Sequence, residues 1–309
     1  MIQQLLANGL IAAAIYALVG LGFALVYRTV RFFHFAHGAV YAAGAYVAYA
    51  TMQLMSPRVS ELMSSGVGES GSPGVGVLVS SWVVAVAVAA LVGVAIDRLV
   101  YRPLRRRKAP ALILLIASFG VFIFLQNLLQ LVFGAQILAM RTGPVKEGHH
   151  VLGAVITDTQ IVIILAAVLV LVGLWVVESR TRVGKAMRAV ADDSLATSVV
   201  GIDPERIILW AFLAGSALAG LAGILISYET NIEPTMGFNA LLKGIIASII
   251  GGIGSIPGAA LGGLFLGLAE NLGIWKLPAM WKDTIAFGIL IVFLLVRPQG
   301  LLGKKSERV

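Results

Sequence analysis

The chain keeps returning to apolar stretches of about twenty residues, the length of helix that crosses the hydrocarbon core of a bilayer. Leu5–Tyr27, Phe33–Met55, Val75–Ile96, Ala111–Phe133, Ile161–Val177, Ile207–Tyr228 and Met280–Val296 each read as one span. A further run, Phe238–Asn271, is interrupted by GGIGSIPG at Gly251–Gly258. It reads as two short helices, either a tight pair of spans or a re-entrant hairpin. The pattern predicts an all-α polytopic membrane protein with eight or nine membrane segments and a broken helix pair near its C-terminal end. Composition agrees: 59% of the 309 residues are hydrophobic and 12% are charged, about half the charged share of a soluble domain. A surface that apolar has lipid as its solvent. The first run lacks the basic flank and small-residue cleavage site of a signal peptide, so it is read as a retained span. Without cysteine, disulfides and thiolate metal sites are excluded.

Lysine and arginine set the expected orientation. With the N-terminus outside, the cytoplasmic segments hold Arg28 and Arg31, Arg98 to Lys108, Arg180 to Arg206, and Arg297 to Arg308. These are 17 of the 23 basic residues. Five lie in outer loops, and Lys243 falls within a predicted helix. The carboxylates divide evenly, seven and seven, with Glu270 in a helix. This bias accounts for the formal charge of +8 without a nucleic-acid partner. The basic run RPLRRRKAP at Arg102–Pro110 is read the same way, as a short loop facing anionic lipid. The organisation is one transmembrane domain over residues 1–309, with a cytoplasmic loop at 178–206 and outer loops at 56–74 and 134–160. Small residues recur in AAGAYVAYA (Ala42–Ala50), AGSALAGLAG (Ala214–Gly223) and GAALGGLFLG (Gly258–Gly267), where they would let helix backbones approach closely.

The polar stretch Glu178–Arg206 carries its own helix signals. Ser179 or Thr181 can cap a helix over Gly184–Val190. The DDS at Asp192–Ser194 is a second N-cap, before Leu195–Val200. Gly201 sits where a helix ends in a left-handed residue, and Asp203 with Pro204 starts the next span. Two short helices on the cytoplasmic face follow, with Met187, Val190, Leu195, Val199 and Val200 as an apolar knob ringed by charge. Such a knob suits a groove on a cytosolic partner. A helix lying on lipid headgroups is the competing reading, weakened by the paired Asp192 and Asp193.

Two charges stand inside predicted spans, Lys243 and Glu270. Intramembrane charges are costly and usually meet a partner or a water-filled path. They are expected to pair across the broken hairpin or to line a pathway, with Asn239, Ser248 and Asn271 as polar neighbours. Gln126, Asn127 and Gln130 form another polar stripe, expected to face the bundle or an outer vestibule. His34 and His37, three apart on one helix face, lack the further ligands a metal needs, so packing and hydrogen bonding are expected there and no metal site.

Five ordered motifs give the chain a resemblance to a known family. They are FHFAHGAVYAAGAY (Phe33–Tyr46), DRLVYRPLRRRKAPALILLIASFG (Asp97–Gly120), GKAMRAVADDSLATSVVGID (Gly184–Asp203), IIGGIGSIPGAALGGLFLGLAE (Ile249–Glu270) and RPQGLLG (Arg297–Gly303). The chain resembles the LivH-type permeases of branched-chain amino acid ABC importers, over nearly its whole length. The resemblance implies alternating access in a bacterial inner membrane, a second related permease subunit, two cytosolic ATP-binding subunits and an extracytoplasmic substrate-binding protein. It also makes the Gly184–Asp203 segment the loop that docks on the ATPase. Arg188, Ala189, Ala191, Asp193, Ala196, Gly201 and Ile202 match the family pattern. The residues expected to couple are Gly184, Met187, Arg188, Ala189, Asp192, Asp193, Leu195 and Gly201. Lys243, Glu270, Asn239, Ser248, Asn271, Gln126 and Asn127 are the pathway candidates. No phosphate-binding loop occurs; GLLGKKS at Gly300–Ser306 has too short a spacing. ATP is therefore expected on partner subunits, with no cofactor and no covalent catalysis in this chain. Relatives that carry urea, short amides or other amino acids remain an alternative, and a stand-alone secondary transporter or channel a more distant one.

Overall fold

The structure, a computed structural model, describes residues 1–63, 75–140, 148–151 and 153–303, without the side chains of 56–63 and 75. Its helices are α1 (Ile2–Val30), α2 (Ala36–Met63), α3 (Val75–Ile96), α4 (Arg102–Arg106), α5 (Ala111–Phe133), α6 (Asp158–Arg180), α7 (Arg182–Asp192), α8 (Ser194–Val199), α9 (Pro204–Ser227), α10 (Met236–Gly251), α11 (Ile256–Gly273) and α12 (Lys282–Val296). The all-α expectation is met except for one small antiparallel hairpin, β1 (His149–Val151) with β2 (Ala154–Ile156), inside the predicted outer loop 134–160.

Among the described residues, six helices are long and apolar enough to cross a membrane, and the bent pair α10–α11 raises the number to seven at most. The expected eight or nine exceeds this count, which rests on length and composition, at two places. The predicted span Phe33–Met55 lies in α2, whose apolar content is alanine, glycine and tyrosine rather than leucine and isoleucine, and α2 is buried among other helices. The α10 and α11 helices have 16 and 18 residues. At 1.5 Å per residue they reach about 24 and 27 Å, each short of a 30 Å core.

Three boundaries also shift. The α2 helix runs on to Met63, into the predicted loop 56–74, whose remainder lies outside the described residues. A π turn at Asp97–Tyr101 joins α3 to α4, so Arg102–Arg106 is helix rather than loop. Pro103 cannot donate into an α ladder, and the widened turn before it accommodates that loss. Asp158 begins α6 inside predicted loop 134–160, where Thr157 and Gln160 form a reciprocal capping box.

The buried centre is α1, packed against α6, α9, α10 and α11. Glycine sets the approach distances. A Cβ on Gly38 would strike the Gly237 carbonyl of α10, and one on Gly44 would strike the Gly220 backbone of α9. The α10–α11 pair bends by 114° through Gly252 (φ 109°) and Gly254 (φ 81°), conformations that L side chains rarely adopt. The RPQGLLG motif closes this bend. Leu301 and Leu302 donate backbone N–H groups to the Ile250 and Gly251 carbonyls at 2.8 and 2.9 Å, partnering the last turn of α10. The bend, Arg28, Arg31, Glu178 and Arg188 share one end of the bundle, here the basic end. Asn8, Gln160, Glu229 and Lys282 gather at the other end of α1, the cavity end.

Candidate functional site

A cavity of about 800 Å³ occupies the cavity end. One wall is apolar, from Ile11, Ile15 and Val19 of α1 with Met236. The polar lining groups include Asn8, Gln160, Glu229, Asn239, Lys243, Asn271 and Lys282. The hairpin sets the chemistry. Folding α10 onto α11 brings Lys243 into an ion pair with Glu270, which is fully buried. The α12 start adds Asp283, whose Oδ1 lies 2.8 Å from Lys243 Nζ. Tyr16 of α1 donates its hydroxyl to Glu270 Oε2 at 2.8 Å. Beside them Asn271 donates to the Gly267 carbonyl (2.9 Å) and accepts from Lys282 Nζ (3.2 Å). A buried carboxylate persists as an ion only when paired and hydrogen-bonded, and this cluster supplies both.

The structure therefore brings Lys243, Glu270, Asn239 and Asn271 to one place. It does not bring Ser248, Gln126 or Asn127 there. Ser248 is buried and donates to the Gly20 carbonyl at 2.9 Å, so its hydroxyl is used in packing α10 on α1. Gln126 and Asn127 lie on α5, outside the cavity lining. Asn127 satisfies its amide within its own helix, donating to Ile123 at 2.8 Å, which lets it stand on an exposed face. Tyr16 and Asp283 were not anticipated: neither is intrusive in sequence, one being a tyrosine in a span and the other a first-turn acid.

At the basic end, the polar stretch forms two capped helices. Thr181 Oγ1 accepts from the Gly184 N–H (3.1 Å), and Asp193 Oδ1 accepts from the N–H groups of Leu195 (2.8 Å) and Ala196 (3.0 Å). Gly201 has φ 85°, and Asp203 caps α9 with Pro204 in its first turn. The apolar knob divides, however. Met187 and Val190 are buried against Leu21 and Leu25 of α1 and Ile207 of α9. Gly184 is buried too, where a Cβ would strike the carbonyls of Val177 and Glu178. Only Leu195, Val199 and Val200 remain outward, 81%, 86% and 74% exposed. The eleven residues of α7 are amphipathic, and their apolar side turns to the bundle.

Ion pairs hold this segment at both ends. Arg28 pairs with Glu178 before α7, and Arg188 donates to the Glu178 carbonyl. After α8, Arg105 makes a two-pronged contact with Glu205 (3.2 and 2.9 Å) and also binds the buried Asp97 at 2.7 Å. The basic run thus contributes a clamp between α4 and the start of α9, which its reading as a lipid-facing loop missed. His34 lies in the interior, its Nδ1 2.9 Å from the Tyr101 hydroxyl.

The comparisons with known proteins fit this architecture. A family profile described as "Branched-chain amino acid transport system / permease component" matches residues 5–294. The chain is 38% identical to the high-affinity branched-chain amino acid transport system permease protein BraD of Pseudomonas aeruginosa, over 97% of this chain and 95% of that one. It is 37% identical to the corresponding LivH permease protein of Escherichia coli K12, over 98% and 96%. A probable branched-chain amino acid transport permease LivH of Methanocaldococcus jannaschii is 28% identical over 99% and 95%. No solved structure matches the chain. With a profile spanning nearly all its length and full-length relatives above a third identity, the chain belongs to the family of permease components of branched-chain amino acid transport systems.

Proposed function

We propose that this chain is the membrane permease subunit of an ATP-driven importer and carries branched-chain amino acids across the inner membrane by alternating access. The positive-inside rule puts its basic end in the cytoplasm and its N-terminus and cavity outside. A substrate-binding protein delivers the amino acid to the cavity end. The apolar wall of Ile11, Ile15 and Val19 suits an aliphatic side chain, and Lys243 in the same lining suits its charged backbone groups. A second, related permease subunit completes the pathway. ATP is bound and hydrolysed on two cytosolic subunits, and this chain performs no covalent step.

The observation that carries the coupling assignment is α8. It presents Leu195, Val199 and Val200 to solvent, while ion pairs at Glu178 and Glu205 tie its flanks to the spans. A push on α8 is thereby delivered to α1 and to the α4–α9 corner. The relatives' names support the substrate class. The test replaces Leu195 and Val199 by aspartate together. Loss of a buried apolar anchor at an interface costs 2 kcal/mol or more, so uptake of labelled leucine falls by about thirtyfold and the co-purifying ATPase is lost, while the amount of chain in the membrane stays constant. Uptake at the wild-type rate with both aspartates in place refutes the assignment.

A further inference from the structure

The basic end carries a second cavity, of about 430 Å³, to which the transport reading assigns no ligand. Arg28 and Arg31 enter it from the end of α1, Arg188 from α7, and Ile253 to Pro257 from the hairpin bend. Its carboxylates are Glu178, already paired with Arg28, and Asp192, which is exposed. Each guanidinium has five N–H donors. Among the described residues, Arg28 gives one to Glu178, Arg31 gives one to the Ala191 carbonyl (2.6 Å), and Arg188 gives one to the Glu178 carbonyl. The Ser179 hydroxyl lines the same cavity, is buried, and has no hydrogen-bond partner among the described residues. Arg31 also occupies a left-handed conformation (φ 56°), which costs a residue with a Cβ about 1 kcal/mol or more relative to glycine. The chain keeps an arginine at a position where its backbone would favour glycine.

We infer that this cavity binds a phosphate group. Convergent guanidiniums offer forked donors matched to phosphate oxygens, and the Ser179 hydroxyl can donate to a further one. The surroundings point to a phospholipid as the carrier. Trp175 lines the cavity from α6, a helix whose Val172 and Val176 are exposed and whose faces meet lipid along most of its length. Tyr27 and Trp175 both line the cavity; aromatic residues of this kind collect at membrane interfaces, and basic pockets between spans hold anionic headgroups. Inorganic phosphate offers the same oxygens from water. A bound phosphate would join α1, α7 and the hairpin bend.

The test uses the full chain in nanodiscs of phosphatidylcholine, with and without phosphatidylglycerol, and native mass spectrometry to count retained lipid. The wild type retains phosphatidylglycerol. The Arg31→Gln/Arg188→Gln variant retains it about tenfold less or worse, the effect of losing charge-assisted hydrogen bonds. Ser179→Ala, which removes no described bond, weakens retention without affecting folding. Arg182→Gln, exposed and outside the lining, leaves it unchanged. A parallel titration with inorganic phosphate in pure phosphatidylcholine discs separates the sources. Arginine-dependent binding of phosphate with no preference for phosphatidylglycerol assigns the site to the soluble ion, and the opposite pattern assigns it to the lipid. If neither probe responds to the Arg31 and Arg188 changes, the site does not exist.

Discussion

Removing the cation of the Lys243–Glu270 pair is expected to cost more than removing the anion, because Lys243 has a second carboxylate and Glu270 has no second cation among its described partners. In Lys243→Met, Glu270 stays fully buried with only the Tyr16 hydroxyl to hold its charge. An uncompensated buried charge of this kind costs about 3–5 kcal/mol. In Glu270→Gln, Lys243 keeps Asp283 at 2.8 Å, and the new amide oxygen can still accept from Tyr16. The loss is then one charge-assisted hydrogen bond, about 1.5–3 kcal/mol. The exchange Lys243→Glu/Glu270→Lys re-forms the pair but places a carboxylate beside Asp283, so recovery is partial. Adding Asp283→Asn removes that repulsion and brings stability back close to wild type. The measurement is unfolding free energy by denaturing-detergent titration in mixed micelles, with leucine uptake followed in parallel. The reasoning is refuted if Lys243→Met is no more harmful than Glu270→Gln, or if Asp283→Asn fails to improve the exchanged pair.

Three other expectations test the framework. Asp193→Ala removes the cap of α8 and costs about 1 kcal/mol, seen as faster hydrogen exchange of its amides, whereas Asp193→Asn keeps the cap. If asparagine behaves like alanine, the charge rather than the cap matters. Arg105→Gln leaves Asp97 buried without its ion-pair partner and Glu205 with Arg102 alone, and lowers stability by about 3–5 kcal/mol; much of this should return with Asp97→Asn, measured by thermal unfolding in detergent. Gly44→Val forces α2 away from the Gly220 backbone and costs at least about 1–3 kcal/mol, while Gly120→Ala, inside α5 with open space around it, costs nothing in the same assay.

The parts of this protein that could be read along the chain are those set by neighbours in sequence. The caps at Thr181, Asp193 and Asp203, the left-handed Gly201 and the break after Gly251 all depend on groups a few residues apart, and they are found where the residue types put them. The boundary of α2 and the helical start of the basic run were misread, because leucine, methionine, glutamate and arginine are good helix formers whatever lies beyond them.

Helix rotation is what only the tertiary structure decided. A span that meets lipid on one side and protein on the other is apolar all round, so it lacks the polar stripe that tells which face looks inward. Ser248 and Asn239 share α10, yet one packs on α1 and the other lines the cavity. Met187 and Leu195 share one predicted knob, yet one is buried against the bundle and the other is exposed. The meeting of Tyr16, Lys243, Glu270 and Asp283 draws on three separate parts of the chain. Composition determined that this protein lives in a bilayer, and local capping residues determined where its short helices begin. Close packing through glycine, which has no side chain to signal its partner, determined which polar groups meet there.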